Sequence, residues 1–267
     1  MDQEHPQPVT LWEAGVASAR SLYLLEEEPL AIRVDGKPYA VVMRTPGDEI
    51  AHAAGFSLGE GIIDSVADAS AIALCEGETA NVVTVTLSAE RRAAVGNVLD
   101  RRNYISQTSC GICGKELVED LFQLVRPVRS SATVDLETIR AGMEAMADRQ
   151  VLRRKTRASH AAALCDSAGR PIAVAEDIGR HNALDKAIGQ ALLGGRLAEA
   201  VVAVLSSRIS YELVQKAARA GVPVMFSVSR PTGLAVDLAR RLNMAVACLA
   251  PGGGIYVFCG QDRLHRP

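Results

Sequence analysis

The spacing of apolar and polar residues changes character along the chain. A two-residue period marks the early segments, and short apolar runs alternate with helical periods in the later ones. The stretch "LAIRVDGKPYAVVMR", residues 30–44, holds two β-rich runs around Asp35-Gly36, a dipeptide that supplies the positive φ angles of a tight hairpin. After the Pro46-Gly47 break a helix is predicted from about Asp48 to the stop at Gly59 and Gly61. A second hairpin is expected in "AIALCEGETANVVTVTL", residues 71–87, whose second half alternates Val and Thr. Cys75 then falls at a strand end as a small buried hydrophobe.

"KELVEDLFQL", residues 115–124, places Leu117, Leu121 and Leu124 on one helical face. A further helix follows Thr133, with Leu136, Ile139, Met143 and Met146 at helical spacing, Asp135 as its N-cap and "RRKTR", Arg153 to Arg157, at its end. From there the order is regular: strand 159–165, turn at Gly169, strand 171–175, helix 180–193, strand 200–205, helix 209–220, strand 222–227, helix 232–242, strand 244–249 and strand 255–259. Strands separated by helices predict a layered α/β domain with a partly parallel sheet. Gly221 is placed to end one helix, and Pro231-Thr232 to open the next.

Composition narrows the picture. The 267 residues suit two lobes, and 48% hydrophobic against 22% charged residues suits a chain with a full core. The formal net charge of −2 gives no overall basic field for nucleic acid or anionic membrane, so any anion must meet a local cluster. The first residues lack the basic start and apolar stretch of a signal peptide, and a cytoplasmic protein is expected. In that reducing setting the six cysteines, Cys75, Cys110, Cys113, Cys165, Cys248 and Cys259, do not argue for disulfides.

Only Cys110 and Cys113 are close in sequence, in "SQTSCGICGK", directly before the helix predicted at 115–124. Half of a zinc site is one reading, but a second C-x-x-C is missing, and neither His160 nor His181 opens the H-x-E of a zinc deaminase. Dithiol exchange is another, although the preceding segment is too polar for the strand that leads into a thioredoxin-like motif. A third is a nucleophilic thiolate, favoured by Lys115 and a helix start, that carries sulfur as a persulfide on a loop loosened by Gly111 and Gly114. Two small thiols in a glycine-rich loop can also be incidental.

Three other stretches hold candidate chemistry. "EDIGRHNALDKAIG", residues 176–189, crowds Glu176, Asp177, Arg180, His181, Asn182, Asp185 and Lys186 at a strand-to-helix junction, where α/β sheets place ligands. The plainer expectation is that Asp177 or the Gly179 turn caps the helix and that Asp185 and Lys186 form its solvated face. Arg153 to Arg157 are either cations complementing a helix end or a phosphate-facing patch. "APGGGIYVFC" is either a plain turn or a nest of backbone N–H groups for a phosphate or guanine.

Taken in order, "CGICGKEL", "HAAALCD", "EDIGRHNALDKAIG", "ELVQKAARAGVPV" and "SRPTGLAVDLARRLN" resemble the FdhD family, the formate dehydrogenase accessory sulfurtransferases, over about Pro29 to Gln261. The resemblance implies a sulfur relay. A cysteine desulfurase loads sulfur on the loop, which delivers it to the molybdenum or tungsten bis-guanine-dinucleotide cofactor destined for formate dehydrogenase. Cys110 matches the family's persulfide cysteine and Cys113 its companion. Leu249, Ala250, Pro251, Gly252, Gly253 and Gly254 match the stretch that binds the cofactor. Many relatives carry arginine at the position of Gly254 and a small residue at that of Cys248.

The fold implied is α/β, with a cytidine-deaminase-like layered C-terminal domain holding a mixed sheet and a smaller, mostly β N-terminal lobe. The expected division is an N-terminal lobe over 1–104, a mobile C-x-x-C loop over 105–116 and the α/β domain over 117–267. Homodimers are implied, with no structural metal. Arg180, His181, Lys186 and Arg153 to Arg157 stand second in line for cofactor phosphates, on placement alone.

Overall fold

The computed structural model describes residues 2–75, 81–102 and 125–265, with backbone alone over 96–102. Cys110, Cys113, the loop that carries them and the helix predicted at 115–124 lie outside the described residues.

The N-terminal part carries two small sheets. Strands β1 (Glu4–Glu13) and β2 (Val16–Leu25) form an antiparallel ribbon turned by Ala14 and Gly15, both at positive φ. Strands β3 (Glu28–Val34), β4 (Lys37–Arg44), β5 (Ala69–Leu74) and β6 (Val82–Leu87) form the second sheet, in the order β4-β3-β6-β5. The expected β3-β4 hairpin turns at Asp35 and Gly36, with φ of 49° and 77°. Helix α1 (Glu49–Gly59) links the two hairpins of this sheet, and α2 (Ala89–Arg102) follows β6.

A six-stranded sheet dominates the rest, in the order β13-β12-β11-β10-β8-β9. Its strands are β8 (His160–Cys165), β9 (Pro171–Asp177), β10 (Val202–Leu205), β11 (Val224–Ser227), β12 (Ala245–Leu249) and β13 (Ile255–Cys259). Strands β10, β11 and β12 run parallel, while β8 and β13 pair antiparallel to them. Helices α5 (Arg180–Leu193), α6 (Tyr211–Arg219) and α7 (Gly233–Arg241) make the crossovers. Before the sheet come a two-residue strand β7 (Val134–Asp135), helix α3 (Leu136–Arg149) and a short helix α4 (Val151–Thr156); β7 pairs with β14 (Leu264–His265) near the end.

The sheet is apolar on both faces, as a covered parallel layer must be. Ala162, Leu164, Ala203, Leu205, Met225 and Val246 join the larger core with α1, α5, α6 and α7. Their neighbours Ala161, Ala163, Val202, Val204, Phe226 and Ala247 face the other way, toward Ile139 and Met146 of α3. The larger core continues into the N-terminal sheet through Leu30, Val83 and Val85. Helices α1 and α5 touch backbone to backbone. A Cβ built on Gly55 would lie 1.9 Å from the Asp185 carbonyl oxygen, and one on Gly189 1.7 Å from that of Ala51.

Two expectations are corrected here. Asp185 and Lys186 do not form a solvated face: both are 1% exposed. Each is matched by a buried opposite charge, Asp185 by Lys216 and Lys186 by Asp177, at 2.8 Å. "RRKTR" is not the end of α3 either, because the chain breaks at Gln150 and Arg153–Lys155 belong to α4, which Arg157 ends in the left-handed region.

Candidate functional site

Loops at the carboxyl ends of parallel strands gather the polar residues of an α/β sheet on one edge. Here that edge holds the turn after β12, Ser229 and Arg230 after β11, and Ser206 to Arg208 after β10. The antiparallel neighbours add the start of β8, with Ser159 and His160, and the end of β9 with the start of α5.

The predicted cofactor stretch is an exposed reversal between β12 and β13. Pro251–Gly253 make one 3-10 turn closed by the Ala250 N–H donating to the Gly254 carbonyl at 2.7 Å. Gly252 and Gly253 have φ of 72° and 81°, which side chains rarely adopt, so glycine is required by the backbone and not by crowding. Gly254 is different: its φ is −72°, and an added Cβ would meet Ala250 and the Pro251 oxygen only at ordinary contact distance. An arginine fits there sterically. Arg140 of α3 donates to the Gly253 carbonyl at 3.2 Å, and the Arg230 guanidinium lies 5.7 Å over the Tyr256 ring beside the turn.

At the other side of the edge, the end of β9 is tied to the first lobe. Asp177 accepts from the N–H groups of Gly179 and Thr45, from the Asn182 amide and from Lys186. Lys186 also donates to the Thr45 carbonyl at 2.7 Å, and Asn182 to the Met43 carbonyl at 2.7 Å. Asp177 thus orders the turn into α5, as expected, but Lys186 spends its charge inside the protein and is withdrawn from the phosphate candidates. Arg180 and His181 open α5 on the edge. His181 Nε2 lies 2.8 Å from the Glu212 carboxylate and 3.2 Å from the Ser210 hydroxyl, and this bond holds Glu212 below the usual carboxylate range.

Three of the described thiols, Cys165, Cys248 and Cys259, are poor nucleophiles. Burial raises Cys165 to about 12 and pushes Cys248 and Cys259 upward. Cys75 is half-buried against the Thr84 hydroxyl at 3.2 Å, not fully enclosed as expected, and Cys248 is a buried strand cysteine.

Sequence spacing did not show that the charges of Arg153 and Arg180 act on His160, because the three come from α4, α5 and β8. The signal available was pairing register alone: His160 stands opposite Asp177, three residues before Arg180.

Fold and edge define a mixed α/β protein with loops placed where such proteins hold ligands. A model of the FdhD/NarQ family matches residues 25–265. A sulfur carrier protein FdhD of Anaeromyxobacter dehalogenans (strain 2CP-C) is 41% identical over 254 residues, covering 90% of this chain and 88% of that protein. Sulfur carrier proteins FdhD of Streptomyces avermitilis and Mycolicibacterium paratuberculosis are 38% and 39% identical, with 94% and 96% of this chain covered and 92% and 97% of theirs. The crystal structure of a formate dehydrogenase accessory protein from Desulfotalea psychrophila shares the fold, with a TM-score of 0.78 at 23% identity over 99% of this chain and 100% of that one. The chain belongs to the FdhD/NarQ family.

Proposed function

We propose that the protein is a sulfur carrier that takes sulfur from a cysteine desulfurase as a persulfide on Cys110 and delivers it to a bis-guanine-dinucleotide molybdenum or tungsten cofactor for formate dehydrogenase. The observation that carries this reading is the match, nearly end to end, to relatives named sulfur carrier proteins, in a chain with a Cys110-Gly-Ile-Cys113 pair. The inert state of the buried Cys165, Cys248 and Cys259 supports it.

In the first step the Cys110 thiolate attacks the outer sulfur of the donor's persulfide. The donor's S–S bond breaks, a new one forms at Cys110, and the donor leaves as a thiolate. Delivery as sulfide needs two electrons. They come from Cys113 when its thiolate attacks Cys110, closing the Cys110–Cys113 disulfide and expelling hydrosulfide; a thiol reductant then reopens the pair.

The cofactor is substrate here, and the edge suits its anionic ends. Leu249 to Gly254 offer an open backbone with space above Gly252 and Gly253, and Arg208 and Arg230 have no carboxylate within ion-pair distance among the described residues. The same reading includes a cytosolic homodimer, the lobes over 1–104 and 117–267, and a deaminase-like layering with α5, α6 and α7 on one face of the sheet and α3 on the other. No described helix is long and apolar enough to cross a membrane.

Intact-protein mass spectrometry after incubation with a cysteine desulfurase and cysteine tests the carrier step. The expected result is a reductant-labile gain of ~32 Da, one sulfur, that disappears in Cys110→Ala. No gain in the wild type beside a loaded control acceptor overturns the carrier reading and leaves a cofactor-binding chaperone.

A further inference from the structure

The six-stranded sheet ends in β9, which pairs with β8 on one side and has no described strand on the other. The ladder fixes which of its backbone groups face outward. The Ser206 N–H donates to the Ala161 carbonyl at 3.0 Å, while the carbonyl of Leu205 turns the other way and accepts from Val228. Ala161 therefore addresses β10, and by the alternation of an antiparallel pair Ala162 and Leu164 address β9. Their register partners Ala175 and Ala173 answer them. The N–H and C=O groups of Val174 and Glu176 are left pointing away from the sheet, and none of the four has a hydrogen-bond partner among the described residues.

This bare stretch of edge lies in an open cleft of about 550 Å³, within the size of ligand sites. Arg149, Val151, Leu152 and Lys155 line it from the α3 side, Gly47 and Asp48 from the α1 side, and Asp2, Gln3 and Glu4 complete it. A second sheet would bring covering layers that meet these walls, whereas a single extended chain would not.

The charge of the lining selects among such chains. Lys155 is paired with Glu4. Glu176 accepts only from neutral groups, the Leu152 and Arg153 N–H groups and the Ser159 hydroxyl, at 2.7, 2.9 and 2.6 Å. Asp48 accepts from the Gln190 amide at 3.2 Å. With Asp2 they set three carboxylates against Arg149, which donates to the Ala145 carbonyl. The guanidiniums of Arg153 and Arg154 donate to the carbonyls of Ser159, Ala147 and Asp148 and do not line the cleft.

We propose that the β9 edge is a docking site for an extended segment of a partner protein, bearing Lys or Arg, that adds a strand to the sheet. The Val174 and Glu176 backbone supplies the ladder, and Asp2, Asp48 and Glu176 meet the partner's cations. The site is at the opposite side of the sheet from the glycine turn and does not rest on the sulfur-carrier reading.

Backbone amide exchange by NMR, on the full chain at low salt, reads the edge directly. In the free protein the Ala173 and Ala175 amides are expected to be protected and those of Val174 and Glu176 open. The probe is a capped peptide alternating lysine and valine, as long as the seven residues of β9, and its counterpart alternates glutamate and valine. Saturating lysine peptide should slow exchange at Val174 and Glu176 at least about tenfold, the scale of one hydrogen bond each, and the glutamate peptide should leave both unchanged. Val174→Pro removes an outward N–H that the β8 ladder does not use, a change edge strands tolerate. It should weaken the lysine peptide at least about tenfold by fluorescence anisotropy. Asp2→Asn combined with Asp48→Asn should weaken it about threefold or more, and also serves if Val174→Pro does not fold. No slowing at Val174 and Glu176, or unchanged affinity in these variants, overturns the docking site and leaves a solvated edge kept single by its charges. Equal binding of the two peptides overturns the choice of a basic partner. Protection of the two amides in the free protein that rises with protein concentration assigns the edge to a second copy and overturns the partner.

Discussion

His52 of α1 is fully buried, and neither ring nitrogen has a hydrogen-bond partner. Burial first, then the charges of Lys186, Lys216 and Arg44, hold its pKa well below 6.5. The unfolded chain takes up a proton on this ring near pH 6.5 and the folded chain does not, so stability falls as pH drops below that value, by up to about 1.4 kcal/mol per unit. Asp185 works in the opposite sense: burial raises it to about 6, so between roughly pH 4 and 6 the folded form is the better proton binder. Comparing wild type with His52→Gln cancels that common contribution. Urea unfolding from pH 7 to 5 should show a shallower loss of stability in the variant, and parallel curves would mean that His52 is charged in the fold. Residues such as these were the least legible in sequence. Asp185 and Lys186 read as a polar helix face because their partners, Lys216 and Asp177, are on other elements and no helical period reports them.

Elements were read more reliably where one face is buried. Helix α5 spans the expected 180–193 and β13 the expected 255–259, because Gly179 and the glycine turn punctuate them. The β1-β2 ribbon was missed. Its side chains are largely exposed on both faces, Trp12 at 71%, so no apolar alternation marks it, and Ala14-Gly15 is a weaker turn signal than Asp35-Gly36. The α1-α5 contact carries its own prediction. With the Ala51 carbonyl 1.7 Å from an added Cβ, Gly189→Ala must push the two helices apart, and a loss of at least ~1–3 kcal/mol in denaturant unfolding is expected. Gly195→Ala meets open space, but its φ of 67° is strained; Gly233→Ala, in open space without a positive φ, is the proper control.

Across the whole molecule, the four-stranded and six-stranded sheets share one apolar core, with Arg44, Thr45, Asp177, Asn182 and Lys186 as buried polar residues. Arg44 is enclosed with Glu49 at 3.0 Å and the Asn81 side chain at 2.6 Å. Removing one partner of such a pair leaves an uncompensated buried charge. Lys186→Met should therefore cost about 3–5 kcal/mol, seen as a lower denaturation midpoint in one transition by circular dichroism. A separate early transition would show that the sheets unfold independently. The knot at Thr45 also has a bearing on the start of α5. Four links from residues 43–45 hold the turn into α5, so the four-stranded sheet acts as a jig for the helix start that carries Arg180. The outer edge of the large sheet is in this sense a composite part, machined by one half of the chain and clamped by the other.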